Sequence, residues 1–165
     1  FKSFLNEDGN LYMIGHCRYS TSDLEYNQPL GDSATSVVHN GVITQELPEN
    51  WETLYGYKTM TKNDSELIVY SDDPLTEFSH MSMAVCELVA AKKELTLYRN
   101  GKRPIYLTTM TNGVIITSTE DIPKRAGMYL PTMEAPVNTY ITFGEDLKMT
   151  VKVANVKDTI DYQKR

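Results

Sequence analysis

Cysteine is scarce in this 165-residue chain. There are two, Cys17 and Cys86, each inside an apparent strand, and they form no C-x-x-C pair. That excludes a zinc ligand set and a disulfide framework, and a reducing, cytoplasmic setting is the expectation. Basic charge is thin as well: sixteen Lys and Arg stand against twenty-two Asp and Glu, a net charge of −6, with no long basic run. Nucleic acid and anionic membranes are therefore not expected as partners. No apolar stretch approaches the roughly 20 residues of a membrane span, and no charged start with an apolar run suggests a signal peptide. No metal-ligand or phosphate-loop spacing occurs, so the chain is expected to need no cofactor and no metal. Internal repeats, low-complexity tracts and linkers are missing too.

What is present fits one soluble domain with a substantial core. Hydrophobic residues make up 41% and charged residues 23%, ordinary proportions for a globular chain of this length. The first residue is Phe1, not Met, and a strand follows almost at once. Either a segment has been removed or an N-terminal part is not included.

The densest stretch is Ile14 to Ile43. Two strand-like runs, Leu11–Ile14 and Ser36–Val38, each end in a polar cluster: Gly15-His16-Cys17-Arg18-Tyr19-Ser20-Thr21, and His39-Asn40-Gly41. The loop between them is rich in Ser, Asp, Asn, Gly and Pro and belongs on the surface. An Arg, hydroxyls and an Asn-Gly at neighbouring tips describe a pocket for a small polar ligand.

The rest alternates short strands with turns. Phe1–Leu5 and Leu11–Ile14 read as a hairpin around Asn6–Asn10. Glu46–Gly56 reads as a short helix, opened by Pro48 and stopped by Gly56, with Trp51, Leu54 and Tyr55 on its buried face. Tyr57–Thr61 alternates like a strand. Asn63 or Asp64 caps a helix that turns Leu67, Ile68 and Tyr70 inward and ends at Asp72-Asp73-Pro74. Met83–Val89 and Glu94–Arg99 are strands around Lys92-Lys93, and Asn100-Gly101 is a hairpin signal. Pro104–Met110 with Val114–Ser118, and Thr139–Phe143 with Lys148–Val153, make two more hairpins. Asp121–Ala126 is a short helix stopped by Gly127. The polar tail, 155–165, is expected to fray. Hairpin-joined strands with two short helices inserted early give an α+β domain over 1–154, built on antiparallel sheet.

Each candidate residue has a plain alternative. Arg18 offers a planar fork for a carboxylate, and also suits a surface salt bridge. Ser20 and Thr21 beside it add hydroxyls. Asn40-Gly41 is a common turn, yet it breaks an apolar strand, and a side-chain amide next to an unencumbered glycine amide can form an oxyanion hole. Asp64 is by default a helix cap, and facing the pocket it would pair with an ammonium. Arg18 for a carboxylate, Asp64 for an ammonium and Asn40 with Gly41 for an amide oxygen would together suit glutamine.

These residues, GHCRYST…QP…VVHNGVI…KNDSELI, resemble the glutaminase domain of class II glutamine amidotransferases, within the N-terminal-nucleophile hydrolases. The resemblance implies that Arg18, from GHxRxxT, binds the glutamine carboxylate with Ser20 and Thr21 beside it. It implies that Asn40 and Gly41, from HNG, form the oxyanion hole, and that Asp64 holds the glutamine amino group. Leu97–Tyr106 looks like the family's RDxxGxRPLY stretch. The implied fold is a four-layer α/β/β/α sandwich of two antiparallel sheets. The implied reaction is hydrolysis of the glutamine side-chain amide to glutamate and ammonia, passed to an acceptor handled by a separate synthase or ligase subunit.

One departure stands out. The family's nucleophile is an N-terminal Cys, and no Cys precedes Gly15 here. Cys17 neighbours Arg18 on a strand, so the two side chains should point to opposite faces. Cys17 and Cys86 read as small buried hydrophobes, and His16 and His39 as structural. The chain is then either a glutaminase domain whose Cys lies in a missing N-terminal peptide, or an inactive, glutaminase-like binding or structural module.

Overall fold

Strand-forming runs of Val, Ile, Leu, Tyr and Thr at short spacing dictate a sheet-dominated chain. The structure is a computed structural model that describes residues 1–18, 27–157 and 159–164. In chain order it forms β1 (Lys2–Leu5), β2 (Leu11–Ile14), β3 (Leu30–Gly31), β4 (Thr35–His39), α1 (Trp51–Tyr55), α2 (Leu67–Tyr70) and α3 (Pro74–Glu77). There follow β5 (Ala84–Val89), β6 (Glu94–Arg99), β7 (Tyr106–Met110), β8 (Gly113–Thr117), α4 (Asp121–Arg125), β9 (Thr132–Glu134), β10 (Thr139–Phe143) and β11 (Met149–Val153).

Six strands make an antiparallel sheet in the order β11-β10-β6-β5-β4-β3. Alternation along each strand gives it two apolar faces. On one, Val37, Val85 and Tyr98 pack with Trp51, Leu67, Ile68, Leu75 and Phe78 of the helical segments. On the other, Leu88, Leu95, Leu97, Ile141 and Phe143 pack with Tyr12, Ile14, Ile105 and Leu107. That second β-layer is divided into the β1–β2 hairpin and the three-stranded sheet β8-β7-β9, and α4 packs beside β8. The fold is α+β on antiparallel sheet, with helix, sheet and sheet layered in that order.

Several local expectations change, among them Tyr70, which is 39% exposed rather than turned inward. Leu54 is 53% exposed while Trp51 is 2% exposed. A five-residue helix lying on the sheet buries one narrow stripe, which returns four positions after Trp51, at Tyr55, whose hydroxyl bonds Thr44 Oγ1 at 2.6 Å. Tyr57–Thr61 forms no strand, because Met60 N and Thr61 N donate instead to the buried Glu66 carboxylate at 2.7 and 2.8 Å.

Asn100-Gly101 does not close a hairpin: β6 and β7 lie in different sheets. The Asn100 side chain accepts from Met83 N at 3.1 Å and donates to Met81 O, standing in for a strand partner.

The polar tail does not fray over 160–163. Tyr162 N donates to Gly101 O at 2.8 Å, and a Cβ on Gly101 would meet the Ile160 carbonyl oxygen at 1.8 Å. Asp161 pairs with the buried Arg99 guanidinium at 2.6 Å. Pro74, expected only to end α2, also opens α3 as its first residue, where a missing N–H costs nothing.

Candidate functional site

The sheet ladder itself shapes the Asn40-Gly41 turn. Asn40 and Ala84 exchange backbone hydrogen bonds at 2.9 and 3.1 Å, and Val42 and Ser82 do so at 3.2 and 3.1 Å. Antiparallel pairing bonds alternate residues, so Gly41 between them has no partner on that strand. Among the described residues, nothing accepts a hydrogen bond from Gly41 N–H or from the exposed Asn40 amide. Among the described residues, both groups thus remain free to donate. Gly41 lies at φ +142°, and a Cβ there would stand 2.2 Å from Ser82 O and 2.9 Å from His39 Nε2. No residue with a side chain fits.

His39, 3% exposed, braces this turn. Its Nε2 lies 3.0 Å from Ser82 O and its Nδ1 2.9 Å from Ser65 Oγ. A carbonyl can only accept, so Nε2 carries the proton and Nδ1 accepts from the Ser65 hydroxyl. Burial pushes the imidazole pKa below its ordinary value and keeps the ring neutral. The Gln28 side chain accepts from His39 N at 2.6 Å and donates to His39 O at 3.2 Å, as a neighbouring strand would.

The tetrapeptide Asn63-Asp64-Ser65-Glu66 is the hub beneath. Asn63 accepts from Ser65 N at 3.1 Å, the cap expected of it. Asp64 does not cap its own helix. Its Oδ2 accepts from Ile43 N at 2.6 Å and Thr44 N at 3.1 Å, holding the loop just past Gly41. Ser65 reaches back to His39, and Glu66 ties residues 60–61. One short segment therefore grips the Asn40-Gly41 turn from before and after.

Arg18 is half-buried, just past the end of β2. Its neighbour His16 has its pKa lowered, first by burial and then by the Arg18 charge. His16 in turn lies within electrostatic reach of His39, as does Asp64. Through His16, the segment that follows β2 thus lies within electrostatic reach of the end of β4. Ser20 and Thr21 lie outside the described residues. His80 is exposed. Cys17 is exposed rather than buried, because it leaves the strand with the polar segment beyond Ile14. Cys86, facing the second core cluster, has its thiol pushed up by burial to about 12 and is inert.

Two cavities, of about 450 and about 220 Å³, lie elsewhere. The first is bordered by His80, Asn100, Lys102 and Tyr162, the second by Lys2, Asp32, Ser36 and Leu88, and none of Arg18, Asn40, Gly41 and Asp64 lines either. Among the described residues no group of His, Cys, Asp or Glu could hold a metal ion, and no helix is long and apolar enough to cross a membrane.

Solved structures supply the comparison. Glutamine phosphoribosylpyrophosphate amidotransferase from B. subtilis, complexed with ADP and GMP, superposes with a TM-score of 0.62 at 16% identity. The alignment covers 84% of this chain and 34% of that one. A structure of the allosteric regulatory enzyme of purine biosynthesis gives 0.60 at 18% identity, with the same coverage of each. The fold is that of the N-terminal-nucleophile hydrolases. The chain spans about a third of the length of these enzymes. No family model and no curated protein sequence matches it.

Reading the residues alone found Asp64 but missed Gln28, Ser65 and Ser82. Their partners lie 11 to 43 positions away, so nothing local marks them. The available signal was the run of four polar residues at 63–66.

Proposed function

We propose that this chain binds L-glutamine and forms the substrate and oxyanion half of a class II glutaminase in the cytoplasm. The observation that carries the reading is the pair of unfilled donors, Gly41 N–H and the Asn40 amide. Asp64 holds the loop just past them, Arg18 follows the end of β2, and the fold is shared with an amidotransferase. Arg18 takes the substrate carboxylate through two parallel bonds. Asp64 takes the ammonium through its second oxygen, while Oδ2 stays on Ile43 and Thr44. The side-chain amide oxygen then lies against Asn40 and Gly41.

In the reaction, a cysteine thiolate attacks the amide carbon, a C–S bond forms, and the oxyanion gathers the two donors. The C–N bond breaks as the nitrogen gains a proton and departs as ammonia. Water cleaves the thioester to glutamate and restores the thiol. The thiolate is supplied from outside these residues, and the ammonia passes to an acceptor on a separate synthase or ligase subunit.

A second reading has its own support. Cys86 is inert and Cys17 does not lie in the strand, so the chain's own cysteines favour a binding module without catalysis. Glutamate release from L-glutamine, measured together with the intact mass of the purified material, separates the two. Glutamate production that a thiol-alkylating glutamine analogue blocks supports the enzyme. Saturable glutamine binding with no glutamate produced supports the binding module.

A further inference from the structure

Behind the Asn40-Gly41 turn runs a hydrogen-bond relay with a fixed direction. Gln28 Nε2 donates to Ser65 Oγ at 3.4 Å, the Ser65 hydroxyl donates to His39 Nδ1 at 2.9 Å, and His39 Nε2–H donates to Ser82 O at 3.0 Å. Each group is used in the only sense open to it. Gln28 Nε2 has no lone pair to offer, and Ser82 O has no proton. Reversing the imidazole tautomer would set two lone pairs against each other at Ser82.

The ring fixed in this way lies against Gly41, with Nε2 only 2.9 Å from the position a Cβ would occupy. Ser82 also accepts from Val42 N twice, through Oγ at 2.8 Å and through its carbonyl at 3.2 Å. Ser82 is thus held from the imidazole side and in turn holds the residue after Gly41. Ser65, 2% exposed, is the one member on the hub that also carries Asp64.

We propose that Ser65 is a positioning residue. By orienting His39 it sets the direction of Gly41 N–H and the Asn40 amide, and so governs recognition of the substrate's side-chain amide without touching the substrate. The proposal rests on the glutamine reading above and adds a residue to it. It carries a consequence that a merely structural serine lacks. The carboxylate and ammonium ends of the ligand meet Arg18 and Asp64, whose contacts do not run through Ser65 Oγ, so only the amide end should suffer.

The test is isothermal titration of the wild-type chain and of Ser65→Ala with L-glutamine and with L-norvaline, which keeps the amino-acid end and the chain length but has no amide. Ser65→Ala should weaken glutamine about tenfold, the scale of one well-aimed hydrogen bond to the substrate amide, and leave norvaline within about twofold. Nitrogen NMR of the His39 ring should show one Nε2–H tautomer in the wild type and a mixture in the variant. Ser65→Cys, nearly isosteric and a weak donor, should give the same split if alanine leaves a packing defect. Equal weakening of both ligands, or of neither, overturns the positioning role while the glutamine reading stands. A wild type that fails to prefer glutamine over norvaline overturns the glutamine reading and this role with it.

Discussion

Arg18→Ala should abolish glutamine binding, raising Kd by about 100-fold, while thermal unfolding stays at the wild-type temperature. A charge-assisted, two-pronged bond to a carboxylate contributes about 1.5–3 kcal/mol, and each 1.4 kcal/mol is a factor of ten. Arg18 is half-buried beyond the end of β2 rather than in either core cluster. Its loss therefore takes little from packing. Arg18→Lys keeps the charge but not the fork and should recover only part of the affinity. Titration calorimetry on the three proteins decides it. Binding by the alanine variant as tight as wild type would show that the carboxylate lies elsewhere and that the site is misassigned.

The largest effect on stability belongs to a different arginine. Arg99 has a side chain 1% exposed, between Glu134 at 3.1 Å and Asp161 at 2.6 Å. It also donates to the carbonyls of Ala135 at 2.7 Å and Arg103 at 3.3 Å. Arg99→Ala removes the guanidinium from beside two mostly buried carboxylates and from these carbonyls, a loss of about 3–5 kcal/mol for a broken buried ion pair. For a chain of this size that lowers Tm by about 10 °C or more. It also frees residues 160–163 from Gly101, so limited proteolysis should remove the C-terminal segment first. A Tm within a degree or two of wild type would mean that the cluster adds nothing net and the segment is held by its backbone contacts alone.

Those two arginines mark how far the sequence can be read unaided. Arg18 announces itself through its neighbours, because hydroxyls and a second polar cluster follow a strand end. Arg99 does not, since Asp161 is 62 positions away and its surroundings look like an ordinary polar tail. The hairpins β5–β6, β7–β8 and β10–β11 are legible because strand and turn signals are local.

Asn100-Gly101 carries the same local signal and means something else, because the Asn side chain completes the ladder beside Met83 and the chain passes to the other sheet. Tyr57–Thr61 alternates as a strand does, with Lys58 and Met60 outward and Tyr57, Thr59 and Thr61 half-buried. Its amides found a carboxylate instead of a strand. Periodicity reports which side of a segment is buried, and not what takes its hydrogen bonds.

The candidate site divides in the same way. Asn40, Gly41 and Asp64 were visible as unusual polar interruptions. Their supports, Gln28, His39, Ser65 and Ser82, act through bonds spanning 11 to 43 positions that only the folded chain brings together.

The most direct test of the glutamine site is an NMR titration of the ¹⁵N-labelled chain with L-glutamine. The site described here requires saturable shifts concentrated at Gly41 N–H, the Asn40 side-chain amide, Arg18 and the amides of Ile43 and Thr44 that Asp64 holds, with the Lys102–Tyr162 cavity silent. Shifts confined to that cavity, or none at all up to millimolar glutamine, would contradict it.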